Sequence, residues 1–513
     1  MNGAKEPPRS WLTKEPILIF GDGQRHIDPK AGLTAFGPLI TNDVGPTIVS
    51  SLRVGIIGDK ETISLCQGWI RKCRGPIEGS ESNPKLFPPF PGFMRAFGVE
   101  VATSDSWNEL ITETEIDRSV SLPRFPERVT RAVNLFDDKI ANIAEREPKL
   151  DVIVCALPQQ IVDACATVGQ GQQEARHKLT AAERELLRTI ESNRKVGQQT
   201  LFPFEEEESL DLEFAPSASN FRRLLKAEAM KYDIPTQLAW PSTFTGVGTR
   251  GKQVQLDSTR AWNFFVALYY KAKGYPWKMA QAESGTCYVG VSFYIDRTDN
   301  SRTMRTAVAQ IFTHTGEGLV LRGNRFVWDN PKSKTPHLGK EGASDLMKNV
   351  IDLYERQMGQ KPRRIVVHKS SRFWKEESEG FSDVMSGVHQ KDFVAIEERG
   401  IRFFRKGEYP PLRGTVILLS DQEYILYTRG YVPYLGTYPG MRVPRPLEIV
   451  EHQGDSTPEV ICKAIMGLTT MNWNTADFAS ADPMTLAFSD RIGMILSQIP
   501  EEVIPRPQYR FYM

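Results

Sequence analysis

The sequence predicts two α/β units in tandem, a Rossmann-like one followed by an RNase-H-like one. Three observations carry this. First, VGIIG (54–58) and DVIVCALP (151–158) are near-continuous apolar runs, each followed by a helical pattern, as parallel strands covered on both faces require. Second, three strand patterns follow one another through short turns from Cys287 onward, as in an antiparallel meander. Third, helix and strand patterns alternate after that meander, in the order of an RNase-H-like sheet. With 513 residues and 40% hydrophobic content, the chain can bury more than one core.

In order, residues 1–16 form a polar, proline-containing leader, expected to lack order unless a partner holds it. PILIF (16–20) reads as a short strand ended by Gly21-Asp22-Gly23. That GDG lacks the wider glycine fingerprint of a dinucleotide site, so a tight turn is favoured over a phosphate loop. The strand 54–58 leads to a helix over 61–72, then to the proline-rich FPPFPGF (87–93) and a long helix over about 126–147. The strand 151–158 stops at a proline, and IVDAC (161–165) resumes as helix. Residues 168–216 are polar and charge-dense and read as an insertion. The first unit closes near residue 279, giving domains 1–279 and 280–513. In the second, CYVGVSFY (287–294), MRTAVAQIFTH (304–314) and GLVLR (318–322) are the meander strands. A helix over about 342–360 follows, with Leu346, Val350, Leu353 and Tyr354 on its apolar face. RRIVVH (363–368) and DFVAIE (392–397) are buried strands, 414–430 reads as a hairpin, and two helices near 458–471 and 484–499 close the chain.

Composition narrows the setting. Net charge is +1, so any basic surface is local and balanced elsewhere, as by the four glutamates at 205–208. Six cysteines (Cys66, Cys73, Cys155, Cys165, Cys287 and Cys462) form no CxxC and no metal-ligand spacing, which points to buried thiols in a reducing compartment. No apolar signal region opens the chain, and no apolar run approaches the roughly 18 residues of a membrane span, so a cytoplasmic protein is expected.

The stretch 221–277 carries the chemistry. In FRRLLKAEAMKYDIPTQ (221–237), Arg222 and Lys226 stand four apart on one helical face, and Gln237 follows a turn at Asp233–Pro235. A second, apolar helix ends near Lys271, with Gly274 and Pro276 as stop signals. Three cations and an amide from these elements can converge on one phosphate, whose charge and three acceptor oxygens reward several donors at once. The bland alternative is a solvated Arg–Lys face with Gln237 in an ordinary turn.

These motifs together resemble the short prokaryotic Argonautes, which consist of a MID and a PIWI domain. The resemblance covers nearly the whole chain. It rests on ILIFGDGQRHIDPKAGLTAFGPL (17–39), FPPFPGF, the spaced Arg222, Lys226, Gln237 and Lys271, and YKAKGYPWK (270–278). CYVGVSFY, GEGLVLRG (316–323), RRIVVHKSSRF (363–373) and FSDRIGMIL (488–496) then occur in PIWI order. The resemblance implies that the four residues hold the 5′-phosphate of a guide strand. It also implies that the C-terminal carboxylate of Met513, with Gln237 nearby, helps bind a Mg²⁺ bridging the first guide phosphates. It implies an RNA guide, a single-stranded DNA target, and a partner with an APAZ region joined to a TIR, sirtuin-like or nuclease effector. Target recognition would license that effector in abortive-infection immunity, as a heterodimer or a higher oligomer.

Cutting is a separate matter. PIWI domains that cut hold two metal ions about 3.5–4 Å apart with carboxylates. The positions that resemble those acids carry Ser292, Ser370 (flanked by Lys369 and Ser371), Glu317 and Asp490. Without the central acid pair the domain is expected to be inactive, with Asp490 a salt-bridging helix residue and His368 a core histidine. The competing expectation is a guide-directed nuclease using Asp490, Glu317 and a further acid such as Asp296 or Asp299. A small-molecule-binding α/β protein using the GDG turn is the third.

Overall fold

The computed structural model describes residues 9–40, 51–166, 220–248, 255–295, 303–313, 316–327, 336–397, 401–404, 406, 410–440, 443–500 and 503–513. The insertion at 168–216 and the two acids Asp296 and Asp299 lie outside the described residues.

Strand β1 (Ser10–Leu12) comes first, then β2 (Leu18–Ile19) and β3 (Arg25–His26). The GDG is a 3-10 turn joining β2 to β3, with Asp22 in the left-handed region at φ 52°. It is therefore a hairpin turn, as the missing fingerprint suggested, and β2 pairs antiparallel rather than joining a parallel sheet.

The first unit is a five-stranded parallel sheet of β4 (Ser51–Gly58), β5 (Glu100–Thr103), β6 (Glu109–Leu110), β7 (Val152–Ala156) and β8 (Thr236–Ala239). Its order is β5-β4-β7-β8, with β6 extending the β4 pairing. The two apolar runs recognised in sequence are β4 and β7, its central strands, and they pair directly from Val54–Val152 to Ile57–Cys155. The helix Lys60–Lys72 starts where Asp59 accepts a hydrogen bond from the Thr62 amide, a side-chain N-cap. Helix Phe125–Ala144 covers one face of this sheet through Val129, Val133, Phe136 and Ile140. Ligands in such sheets sit at the carboxyl ends of the strands, and β8 carries Gln237 at the edge of this one.

After β9 (Lys278–Met279), which pairs with β2, the second unit begins. Its strands are β10 (Thr286–Ile295), β11 (Thr303–Thr313), β12 (Gly318–Arg322), β13 (Arg325–Val327), β14 (Arg364–Lys369), β15 (Gln390–Glu397), β16 (Thr415–Leu418), β17 (Tyr424–Leu426) and β18 (Leu447–Gly454). β10, β11 and β12 are the antiparallel meander, and β14 and β15 add in parallel beside β10, which is the RNase-H-like arrangement. The sheet then continues through β18, β17 and β16 to β1, so residues before the first sheet close the far edge of the second. The leader thus contributes a strand in its described part.

Helices Lys340–Met358 and Lys375–Val384 cover one face of this sheet, with Leu346, Met347, Val350 and Phe381 against Val289, Val291 and Phe393. The other face belongs to a core shared by both units. Trp262, Tyr270 and Trp277 of the first meet Ile465, Met466 and Trp473 of the second, and the Trp277 indole donates to the Thr470 carbonyl at 2.9 Å. The C-terminal helical region divides into Met484–Ala487 and Ser489–Leu496. The first of these presses on β10, where a Cβ on Gly290 would lie 1.7 Å from the Thr485 carbonyl oxygen. Only a glycine permits that approach.

Gly290→Ala is therefore expected to destabilise the protein by more than about 2 kcal/mol, since the obstacle is backbone. Gly68→Ala is the control: it is exposed in the helix Lys60–Lys72 with nothing within 4 Å of a new Cβ, and should stabilise by about 0.5–1 kcal/mol. Urea unfolding midpoints of the two variants check both signs.

Candidate functional site

The four residues singled out in 221–271 fall on three elements that meet. Arg222 and Lys226 are on the helix Phe221–Ala229, which Asn220 caps by accepting from the Arg223 amide. Asp233 adopts a left-handed φ of 57° and turns the chain into β8. That reversal sets Lys226 against β8, and its Nζ donates to the Thr236 carbonyl at 2.5 Å. Lys271 is the last residue of the helix Asp257–Lys271, and its Nζ donates to the Gln237 side-chain oxygen. Lys226 is 1% exposed and Lys271 is 2% exposed.

Burial has its electrostatic consequence. Desolvation, with the Arg222 charge second, pushes Lys226 down to about 7 from its ordinary 10.5. Lys271 is pushed well below its ordinary value by desolvation and then by Lys226 and Arg222. Three cationic groups thus act on one another, and the two lysines rest on neutral oxygens, an amide and a peptide carbonyl. The Cys155 thiol, which interacts with both lysines, is itself pushed up to about 12 by burial and so stays neutral beside them. Because the folded protein holds Lys226 less protonated than the unfolded chain, its stability rises with pH from about 7 to 10.5. Below that window the buried charge costs its full desolvation energy. An anion placed between these groups would offset that cost.

The tail is docked against the same region. Gln508 bridges to Leu319, the Val320 amide donates to the Pro507 carbonyl at 2.6 Å, and the turn Tyr509–Phe511 packs on the helix Asp257–Lys271. Arg506 Nε lies 3.6 Å from Asp233, and the Tyr512 hydroxyl donates to the Arg506 carbonyl. The Arg222 and Arg491 charges oppose the upward, burial-driven shift of Tyr509, which places Arg222 beside the tail. Met513 is buried in the shared core.

In the second unit, Val291 pairs with Lys369 on parallel neighbours; Ser292 is the next residue on β10, and Ser370 is the first residue beyond the end of β14. Ser292 is 7% exposed, and its hydroxyl has no hydrogen-bond partner among the described residues. Lys369 points to the helix-covered face, where Nζ meets Glu377 at 2.6 Å and lies over the rings of Phe293 and Phe373. His368 is buried, contacts Thr485 Oγ1 at 2.7 Å, and is pushed down to about 3 by burial, as a core histidine should be. Asp490 falls in the helix Ser489–Leu496, which packs on β10 and β11; its side chain lies outside the described residues.

Glu317 corrects the sequence reading. It does not join Ser292 and Ser370. Its carbonyl accepts from the Thr313 amide, and Thr313 pairs with Cys287, five residues before Ser292 and so about 17 Å along the strand. The residue is 1% exposed. Its carboxylate accepts from Arg510 Nη2 at 3.0 and 3.1 Å, from Tyr275 at 2.6 Å and from Tyr270 at 3.4 Å. Reasoning from sequence missed this cluster. The lone arginine in the aromatic ending YRFYM was the signal available, since a buried guanidinium needs an acid.

Among the described residues there is no group of three or more His, Cys, Asp or Glu placed to hold a metal, and no helix long and apolar enough to cross a membrane. All six cysteines are buried free thiols.

No protein-family model matches the chain. A curated relative, "Protein argonaute" of Aquifex aeolicus (strain VF5), is 25% identical over 275 residues, 53% of this chain and 35% of the relative. The solved structure of Aa-Ago with externally bound siRNA superposes at TM-score 0.56 and 16% identity, over 99% of this chain and 56% of that one. Clostridium butyricum Argonaute bound to a guide DNA and a 19-mer target DNA gives 0.56 at 12% identity, over 98% and 54%. Drosophila Piwi gives 0.56 at 11% identity, over 98% and 56%. The chain therefore has the Argonaute fold over its own length, a Rossmann-like MID-type domain followed by an RNase-H-like PIWI-type domain. It spans about a third of the curated relative and just over half of those solved chains.

The buried Lys369–Glu377 pair yields a test of the second unit. Glu377→Ala should cost about 3–5 kcal/mol by stranding the ammonium, whereas Lys369→Met with Glu377→Leu should recover most of it. Chemical denaturation of the single and double variants measures this.

Proposed function

We propose that this chain binds nucleic acid through the 5′-phosphate of a guide strand, held by Arg222, Lys226, Gln237 and Lys271. The observation that carries the reading is the pair of buried lysines resting on neutral oxygens beside Arg222. Such a cluster is costly alone and favourable around a dianion. The similarity to proteins whose solved structures hold siRNA, guide DNA and target DNA supports it. A guide fixed at one end displays its bases, so pairing reads the target while the protein supplies backbone contacts.

The finer reading rests on the resemblance to short Argonautes. The guide is RNA, the target is single-stranded DNA, and a cytoplasmic APAZ-containing effector partner, of TIR, sirtuin-like or nuclease type, is switched on by target pairing in defence against plasmids and phage. The chain itself does not cut. The positions that resemble the metal-binding acids carry Ser292 and Ser370, whose hydroxyls cannot replace the carboxylates that a two-metal site needs. The resemblance gives a Mg²⁺ at the guide end the Met513 carboxylate, a hard oxygen ligand, while the Gln237 amide oxygen, which accepts from Lys271, would have to exchange that partner to join it. Mg²⁺ binds with few protein groups plus phosphates and water. Bound there, it would neutralise charge between the first guide phosphates.

Filter binding with matched RNA strands is the test. The 5′-phosphorylated strand should bind about 100-fold or more tighter than the 5′-hydroxyl strand, and Lys226→Ala with Lys271→Ala should abolish the difference. Equal binding of both strands by the unaltered protein would refute the reading.

A pH dependence accompanies it. Because Lys226 sits near 7 without ligand and a dianion favours its charged form, binding takes up a proton above that value. Affinity for the phosphorylated strand should fall from pH 7 to 9, by up to about tenfold per unit, and far less for the hydroxyl strand. Guide-loaded protein with labelled target and Mg²⁺ or Mn²⁺ should give no cleavage; cleavage lost in Asp490→Ala would show that the chain cuts.

A further inference from the structure

We propose that Glu317 and Arg510 form a positioning device for the phosphate pocket, fastening the helix that carries Lys271 and the chain end that carries the Met513 carboxylate to one buried carboxylate. The inference rests on the proposed phosphate site and adds two residues that do not touch the ligand.

Three side chains from two segments converge on Glu317. Tyr270 is the residue immediately before Lys271, at the carboxyl end of the helix Asp257–Lys271, and its hydroxyl lies 3.4 Å from Glu317 Oε1. Tyr275 follows the helix through a turn in which Lys273 has a φ of 70°, and it donates to Glu317 Oε2 at 2.6 Å. Arg510 comes from the tail, three residues before the end; Nη2 reaches both carboxylate oxygens, and its guanidinium lies 5.2 Å from the Tyr270 ring centre. Trp473 backs the cluster, with ring centres 4.7 Å from Tyr270 and 5.7 Å from Tyr275.

Each segment leads to a different part of the pocket. Adjacent helical residues differ by about 100° in direction, so Tyr270 can face Glu317 while Lys271 faces Gln237. Fixing Arg510 fixes the register of the last turn, and with it where Met513 ends. The acid sits on the second unit's β11–β12 hairpin, so lysine, chain end and second unit share one rigid reference. Long cationic side chains lose much rotamer freedom on ordering. A site that must seat a phosphate to a fraction of an ångström needs its supports held by such packing and hydrogen bonds. Breaking the cluster should therefore loosen phosphate recognition while leaving contacts along the rest of the strand.

The experiment measures affinities for 5′-phosphorylated and 5′-hydroxyl forms of one RNA, in the unaltered chain and in Glu317→Gln, Arg510→Met, Arg510→Lys and Tyr275→Phe. The expected result is an about tenfold smaller phosphate preference in Glu317→Gln and Arg510→Met, a milder loss in Tyr275→Phe, and partial recovery in Arg510→Lys, with hydroxyl-strand affinity nearly constant. Should the buried-charge variants fail to fold, Tyr275→Phe decides, because it deletes one hydrogen bond and leaves the ring. A preference unchanged in Tyr275→Phe and in every soluble charge variant, or equal loss for both strands, would overturn the positioning role. Absence of a preference in the unaltered chain would instead overturn the phosphate site itself.

Discussion

Two lysine side chains buried within reach of each other govern how this molecule is put together. Lys226 and Lys271 are almost wholly withdrawn from water, and each donates to a neutral oxygen. Removing an ammonium from water costs several kcal/mol even after relaxation, and a like charge beside it adds to that. A fold keeps such an arrangement only when the surrounding packing over-determines it. Here that packing is the aromatic core shared by both units, with Trp262, Tyr270 and Trp277 against Ile465, Met466 and Trp473. Stability held in that core is what allows the two lysines to stay buried although burial disfavours their charged forms.

The second unit bears on this chemistry chiefly as a scaffold. Ser292 lies on β10 and Ser370 just past the end of β14, and its helix-covered face holds a closed Lys369–Glu377 pair. Its acid of consequence is Glu317, which reaches away from that sheet centre toward the first unit and the chain end. The carboxylate binds segments together; it does not stand at the reaction end of the sheet.

Much of the fold was legible because the determining signals are local. The apolar runs of β4 and β7, the meander of β10 to β12 and the helix Lys340–Met358 follow from periodicity and turn residues alone. Strand β18 was not legible, because Glu448, Glu451 and His452 interrupt its apolar pattern. In the fold His452 contacts Tyr424 and Asp392, partners from the two neighbouring strands of the sheet. Likewise the spacing of Arg222, Lys226, Gln237 and Lys271 announced convergence, since helix geometry and a turn suffice to bring them together. Glu317 misled because only tertiary structure reveals which way a loop acid faces. Its pair with Arg510 alone spans 193 residues of sequence separation, beyond any local pattern.

The account stands or falls on whether a phosphate lies between Lys226 and Lys271. The most direct measurement is the titration of the Lys226 Nζ, followed by NMR of protein labelled at lysine, alone and with oligonucleotides of each 5′ chemistry. Free protein should titrate near 7 at this residue, and a 5′-phosphorylated strand should raise that value sharply where a 5′-hydroxyl strand does not. A Lys226 titration indifferent to the 5′ group would contradict it.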